Sequence, residues 1–266
     1  MSQLFGYSLD RKKKGTKAIG PSFVTKDSDD AAQPIVAGGY FGQYVDLGDA
    51  ANKASDVDLI GRYREMSLHP EVDQAIGDIV NEAIAGDLSD KNFPNTLYQN
   101  LKDKNIKVDI LINNAGFGFS GLFLDSSIKN YEEMLNVNIY ALVSLTHLFL
   151  KDMIESSYGG VINISSLASF QPIPYFSMYA ASKAFVTSFT LGLHEEYSDS
   201  GIKILGVCPG YTKTNFNKRA QMDSRPVSGY LMSSQEVVDQ SLKAYEKGNF
   251  LVINGRINRF VKKIMS

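Results

Sequence analysis

A tyrosine and a lysine four residues apart, Tyr179 and Lys183, are the two side chains in this sequence best suited to proton transfer. Residues at this spacing share one face of a helix. A nearby ammonium favours the phenolate, and so lowers the pKa of a tyrosine from its ordinary value of about 10. The pair is therefore predicted to act as a general acid and base on a carbonyl or carbinol oxygen. The spacing alone is not distinctive, because Tyr98 and Lys102 repeat it.

The residues around Tyr179 distinguish it from Tyr98. Ser166 ends a strand-like apolar run upstream of Tyr179, whereas Ala85 occupies the same place before Tyr98. Other residues that belong to the pattern are Asn113, Asn114, Ala115 and Gly116 after an apolar run, then Asn136 and Asn138, and downstream Pro209, Gly210, Thr212 and Thr214. In this order and spacing, the combination is far more specific than a tyrosine and a lysine alone.

Length, composition and charge are typical of an α/β enzyme and argue against several other classes. At 266 residues, one domain with a sizeable core is possible, and the formal net charge of −2 argues against a nucleic-acid partner. No apolar run is long enough to predict a membrane span, and the N-terminus lacks the apolar region of a signal peptide. The single cysteine, Cys208, lies in an apolar strand, which favours a cytoplasmic location and a packing role.

Together, the motifs resemble those of the short-chain dehydrogenase/reductase (SDR) family in its classical form, over about residues 87–266. The resemblance implies a Rossmann-like, doubly wound parallel sheet and a small-molecule substrate whose carbonyl and alcohol are interconverted. It implies NAD or NADP as the cofactor, with NADP slightly favoured, no membrane partner, and a homo-oligomer in the intact parent enzyme. No metal site is expected, because His69, His147 and His194 have no partner at ligand spacing.

The resemblance gives catalytic roles to four residues. Tyr179 would exchange a proton with the substrate oxygen, and Lys183 would hold the ribose hydroxyls of the cofactor. Ser166 would hydrogen-bond the substrate oxygen, whereas its neighbour Ser165 would face the core. Asn138 would hold a water that links Lys183 to solvent.

The resemblance also predicts a set of cofactor-binding residues beside Tyr179 and Lys183. Asp87 and Leu88 would flank the adenine, and Asn114 would line the ribose. The remaining members of the predicted set are Ala115, Gly116, Pro209, Gly210, Thr212 and Thr214, of which the two threonines would contact the nicotinamide carboxamide.

The first third of the chain lacks the turn that such an enzyme uses to bind the cofactor pyrophosphate. The family opens with a strand, a TGxxxGxG turn and a helix, whose backbone amides receive the phosphates. The nearest candidate is the segment 37–44, in which Tyr44 replaces the third glycine and would obstruct close packing of helix and strand. We therefore expect a Rossmann-like sheet without its first phosphate-binding unit, and little cofactor affinity.

Residues 1–86 instead resemble the N-terminal part of a tailed-phage portal vertex protein. The resemblance rests on residues 58–66 and 69–84 and on the basic run Arg11–Lys14. It predicts a partly disordered helical segment, with helices at about 56–66 and 71–84 and a poorly ordered stretch before about Gly38.

Two functions remain open. In the first, the chain is an SDR-type oxidoreductase, which is inactive if nothing replaces the missing turn. In the second, it is a non-enzymatic chimera of a portal fragment and an inactive SDR remnant. The junction of such a chimera would lie near Ala83–Asp87, as a natural fusion or an assembly error.

The SDR-like part, residues 87–266, is predicted to alternate between strands and helices. The predicted strands are Val108–Asn113, Val161–Ser166, Lys203–Cys208 and Phe250–Ile253, and the predicted helices are Phe93–Asn105, Tyr131–Glu155, Ser177–Ser198 and Ser234–Lys247. Continuous apolar strands between helices indicate a parallel sheet that is covered on both faces. Without the family's first strands, Val108–Asn113 is expected to be an exposed edge.

Overall fold

The computed structural model describes residues 23–26, 34–37, 80–84, 86–214, 216, 220 and 231–265. The strands are β1 (Phe23–Lys26), β2 (Pro34–Ala37), β3 (Val80–Ala83), β4 (Ile110–Asn113), β5 (Gly159–Ile164), β6 (Ile202–Cys208) and β7 (Leu251–Ile253). The α-helices are α1 (Phe93–Asp103), α2 (Ile128–Leu135), α3 (Leu142–Glu155), α4 (Ser177–Glu196), α5 (Ser234–Glu246) and α6 (Arg256–Met265). A π-helical turn, Asn136–Ala141, joins α2 to α3, and short 3₁₀ turns occupy Phe123–Asp125 and Leu167–Phe170.

Five strands form one parallel sheet in the order β2-β4-β5-β6-β7. Successive side chains of a strand point to opposite faces of the sheet. Leu111 of β4 therefore packs in a core with residues of α1 and α3, whereas Ile112 packs in a second core with residues of α5. Both faces are covered, as the continuous apolar strands predict. The predicted α/β fold with a parallel Rossmann-like sheet is confirmed.

The prediction that the strand at Val108–Asn113 is an exposed edge is wrong. β2 pairs with β4 in parallel along its whole length, with Ile35 opposite Leu111 and Ala37 opposite Asn113. The added strand satisfies the backbone groups that an edge would leave open. A helix after this strand, which a phosphate-binding turn would require, falls on residues outside the described part of the chain.

The helix predicted at 71–84 is wrong at its C-terminal end. There the chain forms β3, which pairs antiparallel with β1. The strands β1 and β2 precede Gly38, within the segment predicted to be only partly ordered. Pairing with a distant strand satisfies the backbone hydrogen bonds that a helix would have satisfied locally. The helical spacing of apolar residues in this segment therefore does not determine its secondary structure. The helix predicted at 56–66 lies outside the described residues.

The long helix predicted at Tyr131–Glu155 is present but interrupted. From Ile128 to Glu155, α2, the π turn and α3 are continuous. By length and composition alone they are apolar enough to cross a membrane, with a mean hydropathy of 1.2 over an 18-residue window. Half of that window is buried inside the fold, and Leu145 and Phe149 belong to the core shared with α1 and the sheet. We interpret it as a core helix of an α/β protein.

Candidate active site

Helix α4 carries Tyr179 and Lys183 on its buried face, at the carboxyl end of β5. Both side chains are buried, with 5 % and 2 % of their surface exposed. Lys183 Nζ donates a hydrogen bond of 2.9 Å to the carbonyl of Ile164, the last residue of β5. The same Nζ lies 5.8 Å from the centre of the Tyr179 ring. The predicted pair is therefore brought together where a parallel α/β sheet places its ligand.

Burial strongly perturbs the Lys183 amine. Removal from water disfavours the ammonium and lowers its pKa from 10.5 to about 8. Gly116 leaves room for this amine, because a Cβ at position 116 would lie 3.0 Å from Lys183 Nζ and 3.2 Å from Asn138 Oδ1. A glycine at this position thus lets the loop after β4 close over the lysine.

Asn138 sits in the π turn, a feature that often occurs at functional sites. Its Oδ1 accepts a hydrogen bond from Phe117 N at 3.1 Å, and its Nδ2 donates to Phe117 O at 2.9 Å. Nδ2 also donates to Ser182 Oγ at 3.0 Å. The side chain therefore fixes the loop after β4 against α4. Its predicted role in holding a water beside Lys183 stays a prediction.

The two adjacent serines after β5 face different surroundings. Ser165 is buried, and its hydroxyl donates to the Lys183 carbonyl at 2.8 Å, so its predicted orientation toward the core is confirmed. Ser166 is half-buried, and its Oγ accepts from Ala168 N at 3.1 Å. A hydroxyl that accepts this bond still has its own hydrogen to donate. Ser166 is thus placed as a donor two residues beyond the strand end that holds Lys183.

Ser182 is a site residue that the sequence motifs do not reveal. It is buried, its Oγ donates to the Tyr179 carbonyl at 2.8 Å, and it accepts the bond from Asn138 Nδ2. One hydroxyl therefore bridges the helix turn that begins at Tyr179 and the π turn. The sequence offered one clue to this role: Ser182 follows Tyr179 by three residues, and residues three apart on a helix share a face.

Two aromatic rings pack against Tyr179, and these too were missed. The ring centres of Phe176 and Phe216 lie 4.4 Å and 5.2 Å from that of Tyr179. At Gly118, a Cβ would come within 2.8 Å of the Tyr179 ring and 2.9 Å of the Phe176 ring. Glycine there allows the backbone to approach both rings.

The structure brings part of the predicted cofactor set together. Leu88 and Ala115 line one narrow cleft at the carboxyl end of β4, with Val137 of the π turn. Asn114 lies between Ala115 and the end of β4; its Oδ1 is buried and accepts no hydrogen bond from the described residues. The free space in this cleft, about 10 Å³, is about that of one water molecule, so the cleft as it stands does not hold a base. The predicted role of these residues in binding the adenosine half of a dinucleotide stays a prediction.

Other members of the predicted set lie apart from that cleft. Asp87 is exposed, and its carboxylate accepts from Ser89 N at 2.7 Å. Thr212 Oγ1 donates to the Gly210 carbonyl at 3.1 Å, and Thr214 Oγ1 accepts from Phe216 N at 3.2 Å. The two hydroxyls thus order their own loop, which follows β6 and reaches Tyr179 through Phe216.

Pro209 and Gly210 anchor the beginning of that loop. The Pro209 carbonyl accepts from Leu167 N at 2.8 Å, beside Ser166. Gly210 lies against the amide of Asn258, with which a Cβ at position 210 would clash. In the part of the chain that the structure describes, no group of three His, Cys, Asp or Glu side chains is placed to hold a metal ion.

Comparison with known proteins places this arrangement among oxidoreductases. The sequence model of the family described as "short chain dehydrogenase" matches residues 62–225, well over half of the chain. The match begins 25 residues before Asp87, inside the segment that was predicted to resemble a portal protein. No comparison supports the portal resemblance.

Two of the curated relatives are named as reductases. A very-long-chain 3-oxoacyl-CoA reductase from Anas platyrhynchos is 32% identical over 182 residues, covering 64% of this chain and 56% of the relative. Ketoacyl reductase HetN from Nostoc is 31% identical over 172 residues, covering 64% of this chain and 60% of the relative. The chain thus spans less than two thirds of the length of either relative.

Solved structures share the fold. A short-chain dehydrogenase from Sphingobium yanoikuyae in complex with NADPH is 31% identical, with a TM-score of 0.60 over 65% of this chain and 66% of that one. A ketone-specific alcohol dehydrogenase from Comamonas testosteroni is 26% identical, with a TM-score of 0.57 over 69% of this chain and 71% of that one. Both likenesses cover about the same share of the chain as the curated relatives do.

Proposed function

The chain belongs to the short-chain dehydrogenase family, and on that premise we propose that it interconverts a carbonyl compound and an alcohol with NAD or NADP. The observation that carries the proposal is the buried Lys183 beside Tyr179 at the end of β5. Burying a lysine without an ionised partner is costly, and such groups cluster at functional sites. The hydroxyl of Ser166 beyond the same strand end supplies the donor that a carbonyl oxygen requires.

The residues of the chain account for the proton side of this reaction. The hydride chemistry at the carbonyl carbon would be supplied, in either direction, by a nicotinamide cofactor when one is bound. Ser166 donates a hydrogen bond to the carbonyl oxygen and polarises the double bond. Tyr179 delivers the proton to that oxygen, which balances the hydride and gives the neutral alcohol. The Lys183 ammonium stabilises the phenolate that Tyr179 then carries.

By resemblance to the family, Leu88 and Ala115 would lie beside the adenosine half of the cofactor. The buried Oδ1 of Asn114, which has no hydrogen-bond partner among the described residues, offers an acceptor to the ribose. The relative from Sphingobium is in complex with NADPH, which supports a nicotinamide cofactor and favours NADP. Because segment 37–44 lacks the third glycine of the phosphate-binding turn, we expect weak binding with a dissociation constant well above the low micromolar range.

The names of the curated relatives suggest the first substrates to test. Both relatives reduce ketoacyl compounds, one of them as a coenzyme A thioester. A 3-oxoacyl thioester is therefore a suitable assay substrate, beside simple ketones. The chain spans only part of those relatives, so the substrate class is argued separately below from its own residues.

The test compares Tyr179→Phe with the wild-type chain and with Tyr98→Phe. Tyr98 shares the spacing to a lysine but lies on α1, where its hydroxyl bonds to Asp152. We expect the wild type and Tyr98→Phe to oxidise NADPH in response to the ketone, and Tyr179→Phe to lose at least about 100-fold in rate. Equal rates in all three proteins would overturn the assignment of Tyr179.

A non-enzymatic chimera is the alternative. The missing glycine favours it, because a remnant without a phosphate site would bind no cofactor. The family match from Arg62 argues against a junction at Ala83–Asp87. Single DNA reads that span the codons for Ala83–Asp87 would support a genuine continuous gene, and their absence would support an assembly error.

A further inference from the structure

Tyr179 lies at the inner end of a continuous group of aromatic side chains. On its own side of the loop are Phe176 and Phe216, whose ring centres are 6.3 Å apart and which both contact Tyr179. Phe117 and Phe119 pack against the same buried cluster, to which Tyr131 also belongs. From Phe117 through Phe119 and Tyr131 to Phe123, successive ring centres are 5.5 Å, 6.3 Å and 5.2 Å apart. From these contacts we infer that the substrate is an apolar carbonyl compound whose hydrocarbon part lies against this aromatic group. The inference rests on the proposed function.

The outer end of the aromatic group is an exposed apolar rim. We define the rim as Leu122, Phe123, Leu124 and Tyr175, whose exposed fractions are 60%, 54%, 88% and 63%. The rim is held beside the tyrosine helix, because Gly121 N donates to the Tyr175 carbonyl at 2.8 Å. Contiguous apolar side chains that remain exposed indicate a surface that binds something. Here they lead inward to Tyr179.

Charge distribution favours an apolar occupant over a charged one. The side chains that make up the aromatic group and the rim are all neutral, and among the described residues the carboxylate of Asp125, next to the rim in sequence, accepts a hydrogen bond of 2.8 Å from Leu122 N. A charged substituent placed against these rings would lose its hydration without gaining a partner. A hydrocarbon chain or ring would instead exchange water for contact with the rings.

The size of the effect follows from the transfer of hydrocarbon out of water. Each methylene that becomes fully buried should raise the apparent affinity, or kcat/KM, by about fourfold. The rise should stop when the chain reaches past the rim into water. A polar site would show no such dependence on chain length.

The experiment uses a series of straight-chain 2-ketones of increasing length, with NADPH in excess. We expect kcat/KM of the wild type to rise by about threefold to fourfold for each added methylene before it levels off. The double variant Leu122→Asp/Leu124→Asp should lose most of that rise. The control is Tyr158→Asp, because Tyr158 is 53% exposed but precedes β5, at the opposite end of the sheet. It should keep the wild-type dependence on chain length.

A binding measurement separates this inference from the proposed function. Straight-chain secondary alcohols titrated into the protein by calorimetry should bind more tightly with each methylene and with a negative heat-capacity change. Turnover of short ketones with no dependence on chain length would overturn the inference and leave the proposed function standing. Chain-length-dependent binding without any turnover would overturn the proposed function and leave the apolar binding surface standing. A rim variant that changed the oligomeric mass but not the chain-length dependence would mean that a second copy covers the rim, and would overturn the inference.

Discussion

Replacing Lys183 by methionine is expected to stabilise the fold while abolishing carbonyl reduction. Methionine has a similar length, carries no charge and adapts to irregular space. Burial lowers the pKa of Lys183 from 10.5 to about 8, and each pKa unit corresponds to about 1.4 kcal/mol. Removing the buried ammonium should therefore gain about 3 kcal/mol below pH 8. Loss of the hydrogen bond to Ile164 O offsets about 1 kcal/mol of this gain.

The gain should depend on pH in a defined direction. The folded-state pKa of Lys183 lies below its unfolded value, so between about pH 8 and pH 10.5 the unfolded chain binds more protons. The contribution of Lys183 therefore makes the wild-type protein more stable as the pH rises through this window. Lys183→Met lacks that contribution, so its advantage is largest below pH 8 and disappears toward pH 10.5.

Urea unfolding of the wild type, Lys183→Met and Lys151→Met at several pH values measures this difference. Lys151 is an exposed lysine of α3, so its substitution controls for the general effect of replacing a lysine by methionine. We expect a higher midpoint with an unchanged denaturant slope for Lys183→Met only. If Lys183→Met were destabilised equally at all pH values, burial of the Lys183 ammonium would not lower the stability of the folded protein. That result would refute the reasoning about this site.

Two further substitutions probe the elements around the catalytic pair. Ser182→Ala should cost about 1–3 kcal/mol in the free energy of unfolding, because Asn138 Nδ2 loses a buried acceptor; it should also reduce kcat more than it raises KM. Unfolding and steady-state rates measure both, and an unchanged kcat would show that the bridge to Tyr179 is only structural. Asn114→Ala should weaken NADPH binding about tenfold at little cost in stability, because its buried Oδ1 has no partner among the described residues. Fluorescence titration of NADPH tests this, and equal affinity in the variant would exclude Asn114 from the ribose site.

The central sheet and the catalytic pair could be predicted because their signals are local. Runs of apolar residues between helical segments indicate a parallel sheet directly. The observed bounds of α1, α4 and α5 fall within a few residues of the predicted ones. Tyr179 and Lys183 meet at β5 because side chains four apart on a helix share a face.

The features that could not be predicted depend on partners distant in sequence. β2 contains only two β-branched residues, Ile35 and Val36, and its place beside β4 is set by pairing rather than by its own pattern. The π turn adds no periodic signal of its own. Helix α6 was not predicted, although Ile257, Phe260, Val261 and Ile264 recur at the spacing of an amphipathic helix, of which Ile257 and Phe260 are exposed. Ser182 acquires a role only because Asn138 lies opposite it.

The most direct test of the central claim is the transfer of deuterium from labelled NADPH to the product alcohol. The protein is incubated at millimolar cofactor, to overcome weak binding, with a ketone or 3-oxoacyl thioester, and the alcohol is analysed by mass spectrometry. We predict one deuterium on the carbinol carbon with the wild type, and no labelled alcohol above background with Tyr179→Phe. Folded wild-type protein that yields no labelled alcohol, or a Tyr179→Phe variant that yields as much as the wild type, would contradict the account.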